Sequence, residues 1–251
     1  MFSYLYSTIV FKPLYNILIL LMDYVPLIDA GIAVILFTCI VRLILFPLSR
    51  KSIITQARMK EIEPELAKIR EKYKDNKEEQ AKATMQMYKD KEVNPFSSIF
   101  LLIIQLPIFI AMYSVFEKGL PVVDVSYLYS FVSVPVIKMT LFGFIDITQK
   151  SLVLSLFVAV SQFVQIHFSL KATTPAKSAN NTQGFGQEVM LNAMKQMKYV
   201  LPVMVFIISY FLIPTQAPKA AAIFALYWIV SNVFTIFQEI VVRRQIARKN
   251  Q

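Results

Sequence analysis

Residues 30–48 read AGIAVILFTCIVRLILFPL, an apolar run with a single guanidinium, Arg42, inside it. About 20 mostly apolar residues cross the hydrocarbon of a bilayer as a helix. An arginine near the centre of such a helix costs about 2.5–3.5 kcal/mol on insertion scales. Its charge cannot be titrated away. The fold must therefore solvate Arg42 with an acidic partner, with amides and carbonyls, or with water held inside the membrane. Which of these applies decides what the chain does.

The rest of the sequence fits a membrane setting. The chain has 251 residues, 56% of them hydrophobic, with 20 Phe and a mean hydropathy of +0.55. That is too apolar for a soluble domain and too short for a large transporter, so an all-α, multi-spanning membrane protein is expected. Five spans are expected, at 29–49, 95–116, 151–170, 198–214 and 219–242. An earlier apolar run at 10–25 is interrupted by Lys12, Pro13, Asn16 and Asp23. Within the N-terminal segment 1–28 it reads as an interfacial helix, with Leu14, Ile17, Leu18 and Leu21 at helical spacing toward the bilayer. It lacks the basic start and small-residue cleavage site of a signal peptide. Cys39 is the sole cysteine, which excludes a disulfide framework and suits a small apolar filler.

The basic residues assign the sides. Twelve Lys or Arg lie between Arg50 and Lys91, four more at Lys171, Lys177, Lys195 and Lys198, and four at Arg243, Arg244, Arg248 and Lys249. These twenty face five on the other side: Lys12, Lys118, Lys138, Lys150 and Lys219. The bias puts 50–94, 171–197 and the tail 243–251 in the cytoplasm, with the N-terminus and the loop 117–150 outside. The net charge of +10 is thus a topology signal. No folded basic domain is present to take DNA. In 50–94, Met59, Ile62, Leu66, Ile69 and Tyr73 recur at helical steps, and Met85 and Tyr88 continue the pattern past a polar turn at 74–77. This predicts a cytoplasmic helical hairpin, with Pro64 kinking or restarting its first arm and Asp75 with Glu78 as a capping box for the second. Asn94-Pro95 ends it.

Polar residues on the spans fall into stripes. Trp228, Ser231, Asn232, Thr235 and Gln238 follow at i, i+3, i+4, i+7 and i+10 on the last span. Ser155, Gln162 and Gln165 do likewise on the third, and Thr38 lies one turn before Arg42. With Gln105 of the second span, Thr38, Arg42, Gln162, Gln165, Trp228, Ser231, Asn232 and Thr235 form the candidate groove. The bland reading is interhelical glue, at about 0.6–2 kcal/mol per bond. No Asp or Glu lies at mid-depth in any span to close an ion pair with Arg42, which also weighs against an ion-coupled pump. His167 stands alone, and no HExxH, GxSxG or phosphate-cradling loop occurs, so neither an enzyme nor a metal or cofactor site is expected.

Three stretches, CIVRLILFPLSRKSIITQARMKEIEPELAKIREKYKDN, NPFSSIFLLIIQLPIFIAMYSVF and ALYWIVSNVFTIFQEIVVRR, together resemble the YidC/Oxa1/Alb3 family of membrane protein insertases, over 11–244 and in the family's order. The resemblance implies a five-span core, an outer interfacial helix, a cytoplasmic hairpin, and a groove open to cytoplasm and lipid. It places the groove arginine on Arg42 and groove residues on Trp228 and Asn232, with Gln162 or Gln165 as the groove amide. It implies a compact bacterial form in the cytoplasmic (inner) membrane. It also implies nascent membrane proteins as clients, the lipid bilayer as surroundings, and the ribosome, the signal recognition particle pathway and the Sec translocon as partners the family admits. A scaffold or assembly chaperone without insertion activity is the rival reading, and a small-solute channel the next. Deleting 59–93 is expected to weaken capture of substrate or ribosome in a binding assay. The remaining bundle should stay resistant to limited proteolysis, and a protease-sensitive product would make the hairpin structural instead.

Overall fold

A buried carboxylate, Asp29, holds the start of the first apolar helix, and much of the surrounding loop is built on it. The computed structural model describes residues 5–24, 29–93, 97–173, 185–216 and 221–249, with the side chains of Lys60, 97–107, 170–173, 185–195, Gln216 and Lys249 outside that description. A π-helical turn, Ser7–Phe11, leads into α1 (Lys12–Tyr24). Then follow α2 (Ala30–Ile44), α3 (Phe46–Glu61), α4 (Glu63–Lys72), α5 (Lys77–Asp90) and α6 (Ser97–Gly119). A two-stranded hairpin, β1 (Thr140–Leu141) and β2 (Ile145–Asp146), precedes α7 (Leu152–Thr173) and α8 (Phe185–Ile207). α8 continues through a π-helical turn, Ile208–Leu212, into Ile213–Gln216, and α9 is Ala221–Lys249.

Among the described residues three helical stretches are long and apolar enough to cross a membrane: Leu152–Ser169, Gln196–Thr215 and Ala221–Arg248. A fourth exists if the bent pair Ala30–Ile44 and Phe46–Met59 forms one span. The single straight helix expected over 29–49 is therefore broken, with α2 ending at Ile44 and Leu45 as its C-cap. Pro47 explains the break, since it lacks a backbone donor and its ring clashes with the carbonyl four residues back. The expected span 95–116 falls on α6, where 94–96 and the side chains of 97–107 lie outside the described residues.

The chain divides into two units. The first comprises Met1–Leu45, Ile104–Gln162 and Leu201–Phe234. Its core is aromatic at the centre: Phe37 of α2 meets Phe116 of α6 at 6.2 Å between ring centroids, and Phe116 meets Phe224 of α9 at 5.6 Å, both edge-on. All three rings are buried. Edge-on geometry contributes about 0.5–1.5 kcal/mol per pair.

α1 packs into this core by a different face from the one its apolar spacing suggested. Leu18, expected toward the bilayer, is fully buried together with Tyr15 and Ile19, while Leu14, Ile17 and Leu21 are half-buried. The reason lies in Asn16, which the sequence presents as an interruption. Its amide nitrogen donates to the carbonyls of Lys12 at 2.8 Å and Tyr127 at 2.9 Å, and its oxygen accepts from the Tyr129 amide at 2.8 Å. Beside it the Tyr15 hydroxyl accepts from the Asp124 amide at 2.7 Å and lies 3.1 Å from the Lys118 carbonyl. Two polar side chains thus satisfy the backbone of the 117–150 loop from within α1.

Asp29 does the same for the hairpin. One carboxylate oxygen caps α2 by accepting from Ile32 N at 2.9 Å, and the other accepts from Gly143 N at 2.7 Å. The Ala30 amide donates to the Lys138 carbonyl at 2.9 Å. The hairpin lies so close to α2 that a Cβ on Gly31 would meet Leu141 Cβ at 2.7 Å and its Cα at 2.9 Å. Only glycine allows that approach. The loop expected to be irregular is therefore ordered by side chains reaching it from α1 and from the start of α2.

The second unit comprises Phe46–Ile103, Phe163–Val200 and Thr235–Gln251. Within it α4 and α5 pack through Ile62, Leu66, Met87 and Val93, and Lys91 reaches Glu65 at 2.7 Å. Pro64 sits in the first turn of α4, where its missing donor is harmless. The cap of α5 is one residue later than expected: Asn76, not Asp75, accepts from Glu79 N at 3.2 Å. Met87 rather than Met85 is buried.

Gly31→Ala should lower thermal stability in detergent by about 1–3 kcal/mol, the cost of overpacking a closed contact; an unchanged unfolding midpoint would refute the close approach. Burial pushes the Tyr15 phenol up to about 12 from its ordinary 10.0. The folded state thus favours the neutral phenol, whose contribution is whole below the ordinary value and fades as pH rises toward about 12. Over that interval the wild type should lose more stability than Tyr15→Phe in parallel alkaline denaturation.

Candidate functional site

Polar side chains of α7 and α9 meet inside the first unit. The Trp228 indole nitrogen donates to Gln162 Oε1 at 2.9 Å. One turn further along α9, Asn232 Nδ2 donates to Ser161 Oγ at 3.0 Å, and Ser161 donates to the Val158 carbonyl at 2.9 Å. The two rungs arise because Trp228 and Asn232 stand four residues apart on one face, opposite the adjacent pair Ser161 and Gln162. An apolar layer of Val158, Val205 and Ala225 lies beside them, with Trp228 and Ile229 against it. The Phe109 ring of α6 packs edge-on to the Trp228 indole at 5.6 Å. Ser155 and Ser209, both buried, lie within hydrogen-bond distance at 3.1 Å and join α7 to the π turn after α8.

Arg42, on α2, is half-buried in the same unit, and Tyr227 of α9 lies close enough to interact with it electrostatically. The Tyr227 hydroxyl is buried and has no hydrogen-bond partner among the described residues. A fixed cation and a phenol oxygen thus sit on helices whose outward faces are apolar. Leu43 and Ile44 of α2, Phe157 and Val160 of α7, and Val233 of α9 are all exposed.

The remaining candidates are placed as follows. Thr38 is fully buried and donates to the Val34 carbonyl of its own helix at 2.7 Å. Ser231 is buried on α9. Gln165 and Thr235 are half-buried in the second unit, and the Gln105 side chain lies outside the described residues. Of the two amides left open on the third span, Gln162 is the one that accepts the indole N–H. Sequence reasoning missed Ser161 and Tyr227. Each is adjacent to a residue already singled out, and a stripe read at three- and four-residue steps skips such neighbours. In the second unit, buried Glu239 is matched by Arg243 one turn on, with contacts of 3.0 and 2.7 Å. Among the described residues no group of three His, Cys, Asp or Glu converges on a point.

Trp228 is the sole tryptophan, so its fluorescence reports directly on this ladder. Gln162→Leu removes the acceptor and should move the emission to shorter wavelength while costing about 0.6–2 kcal/mol of stability. An unchanged spectrum would contradict the bond.

Comparison with known proteins places the chain. A family model described as "60Kd inner membrane protein" matches residues 20–249. A protein of Francisella philomiragia named membrane protein insertase YidC is 28% identical over 216 residues, covering 85% of this chain and 32% of that protein. A protein of the same name from Oceanobacillus iheyensis is 28% identical over 223 residues, covering 87% of this chain and 76% of its own length. One from Burkholderia cenocepacia is 30% identical over 251 residues, covering 97% and 37%. The chain thus spans about a third of the length of the Francisella and Burkholderia relatives. With the family model matched over nearly the whole chain, and apolar helices long enough to cross a bilayer, the chain is a multi-pass membrane protein belonging to the 60Kd inner membrane protein family, the YidC/Oxa1 family.

Proposed function

We propose that this chain is a membrane protein insertase. It receives hydrophilic segments of nascent membrane proteins in a groove lined by Arg42 and the Trp228–Gln162 and Asn232–Ser161 ladder, and releases their apolar helices into lipid. The observation that carries this reading is the half-buried guanidinium of Arg42 on an apolar helix, in the unit that also holds the polar ladder. Family membership supports it.

The physical task is to move polar chain across hydrocarbon, where each unsatisfied backbone group costs several kcal/mol. A wet recess reaching part of the way shortens that crossing. Arg42 supplies a positive field for acidic or polar segments, and the Tyr227 hydroxyl offers a hydrogen-bonding group beside it. The exposed apolar faces of α7 and α9 give the client helix a path to lipid. Transfer of about twenty apolar residues from water is downhill by many kcal/mol, so the step needs no nucleotide and the chain acts as no enzyme in the ordinary sense. The membrane potential adds about 2.3 kcal/mol per charge per 100 mV for acidic segments moving outward.

The architecture we assign has five spans, an outer interfacial helix at the N-terminus and a cytoplasmic hairpin built from α4 and α5. It lies in the bacterial inner membrane, with the N-terminus outside and the C-terminus in the cytoplasm. The charge distribution supports this orientation. The hairpin then faces the ribosome, the signal recognition particle pathway and the Sec translocon. The two ladder bonds are equally the bonds of an assembly scaffold, which would hold partner helices without inserting them and would have no use for Arg42.

Reconstitution separates the two. A short single-span client with an acidic N-terminus should become protease-protected in liposomes carrying the wild type. Arg42→Ala should reduce that protection by about tenfold, and Arg42→Lys should largely keep it, because charge rather than fork geometry is at work. Equal loss in both variants would reject the role given to the charge. Protection no better than in empty liposomes would favour the scaffold.

A further inference from the structure

The tip of the β1–β2 hairpin presents what the core has no use for. Phe142 and Phe144 flank Gly143 in the three-residue turn, their rings stacked at 6.5 Å. They are 60% and 77% exposed, and Val136, just before β1, is 94% exposed. Phe142 also has a φ of +57° and Gly143 one of +80°. A left-handed backbone is natural for glycine but unfavourable for a bulky aromatic residue. A strained phenylalanine left mostly exposed by its own fold points to a partner outside it.

The hydrogen bonds fix where that partner is available. Gly143 N donates to Asp29, the N-cap of α2, and Ala30 N donates to the Lys138 carbonyl. Both rings therefore belong to neighbours of an amide bonded to the first turn of an apolar helix. The contact at Gly31 leaves the hairpin no room to slide against α2. The start of a helix entering hydrocarbon lies near the headgroup boundary, so a tip bonded to that start is held there. There, exposed aromatic side chains insert favourably beside basic residues that meet lipid phosphate. Lys138 supplies such a cation, exposed and on the same strand approach.

We propose that the hairpin tip, Phe142 to Phe144 with Val136 and Lys138, is an interfacial anchor inserted in the lipid leaflet next to the N-terminus of α2. It fixes the depth and tilt of that helix, and with it the height of Arg42. The inference rests on the chain's crossing a membrane through α2 and not on insertase activity, so the insertion assay and the test below fail independently.

The test uses the full chain in a Cys39→Ala background, with one fluorophore at Phe144→Cys or, for comparison, at Lys74→Cys in the turn between α4 and α5. Each protein is reconstituted at low protein-to-lipid ratio with nitroxide on the headgroup or at a shallow acyl position. A label at position 144 should emit at shorter wavelength than one at 74. It should be quenched severalfold more by the shallow acyl nitroxide and severalfold less by aqueous iodide. Adding Phe142→Gly, which relieves the backbone strain and removes one ring, should keep the fold and weaken the acyl quenching. Iodide quenching equal at 144 and 74 would overturn the anchor. So would a wavelength shift that appears only as protein density rises, which would mean that a second copy covers the tip.

Discussion

A guanidinium that cannot lose its proton sets the terms for this membrane protein. Arg42 sits on a helix that is otherwise apolar, and its insertion is unfavourable unless the surroundings repay it. The first unit holds α2 together with other polar side chains. α9 contributes Tyr227 beside the arginine, and the same helix carries Trp228 and Asn232 to their bonds with α7. Interhelical polar bonds of this kind contribute only about 0.6–2 kcal/mol each. Polar material there is best understood as kept for a task, and passing polar chain through part of the bilayer is the task we assign to it.

That arrangement requires α2 to be held at a fixed height, and α2 is short. Its fifteen residues span about 22 Å at 1.5 Å per residue, less than the hydrocarbon thickness of roughly 30 Å. Its start is accordingly tied down with care. Asp29 serves the helix and the hairpin with separate oxygens, Gly31 admits Leu141, and Asn16 and Tyr15 fasten the loop from α1. Its end is set by Pro47, which stops α2 from running straight on into α3. The shortness of α2 and the elaborate loop at its start are two sides of one constraint.

Much of this was legible in the sequence, and the limits have physical causes. Apolar length and helical period announce the spanning helices, and the 228–232 spacing announces the ladder, because both depend only on one helix's own geometry. Which of Gln162 and Gln165 accepts the Trp228 indole was not legible: they lie three residues apart on neighbouring parts of one face, and only the position of the indole separates them. Asn16 reads as an interruption and Asp29 only as the first residue of a span, since nothing local reveals that their loop partners lie more than a hundred residues away. The break at Leu45 was written in Pro47, but a hydropathy reading averages over it. The α5 cap moved from Asp75 to Asn76 because two adjacent residues both suit that role and backbone geometry selects one.

We propose that the ladder, in the unit that also holds Arg42, borders a hydrated recess open to one side of the membrane. The most direct measurement is the reactivity of a single cysteine at position 162, in a Cys39→Ala background, toward a membrane-impermeant maleimide in sealed vesicles of known orientation. A hydrated thiol ionises and reacts, whereas a thiol in apolar packing stays protonated and inert. Modification is expected from the side that exposes the α4–α5 turn, with protection from the other. No reaction from either side, in protein whose cysteine at position 74 labels fully, would mean that the ladder is dry helix packing and that no polar segment passes along it.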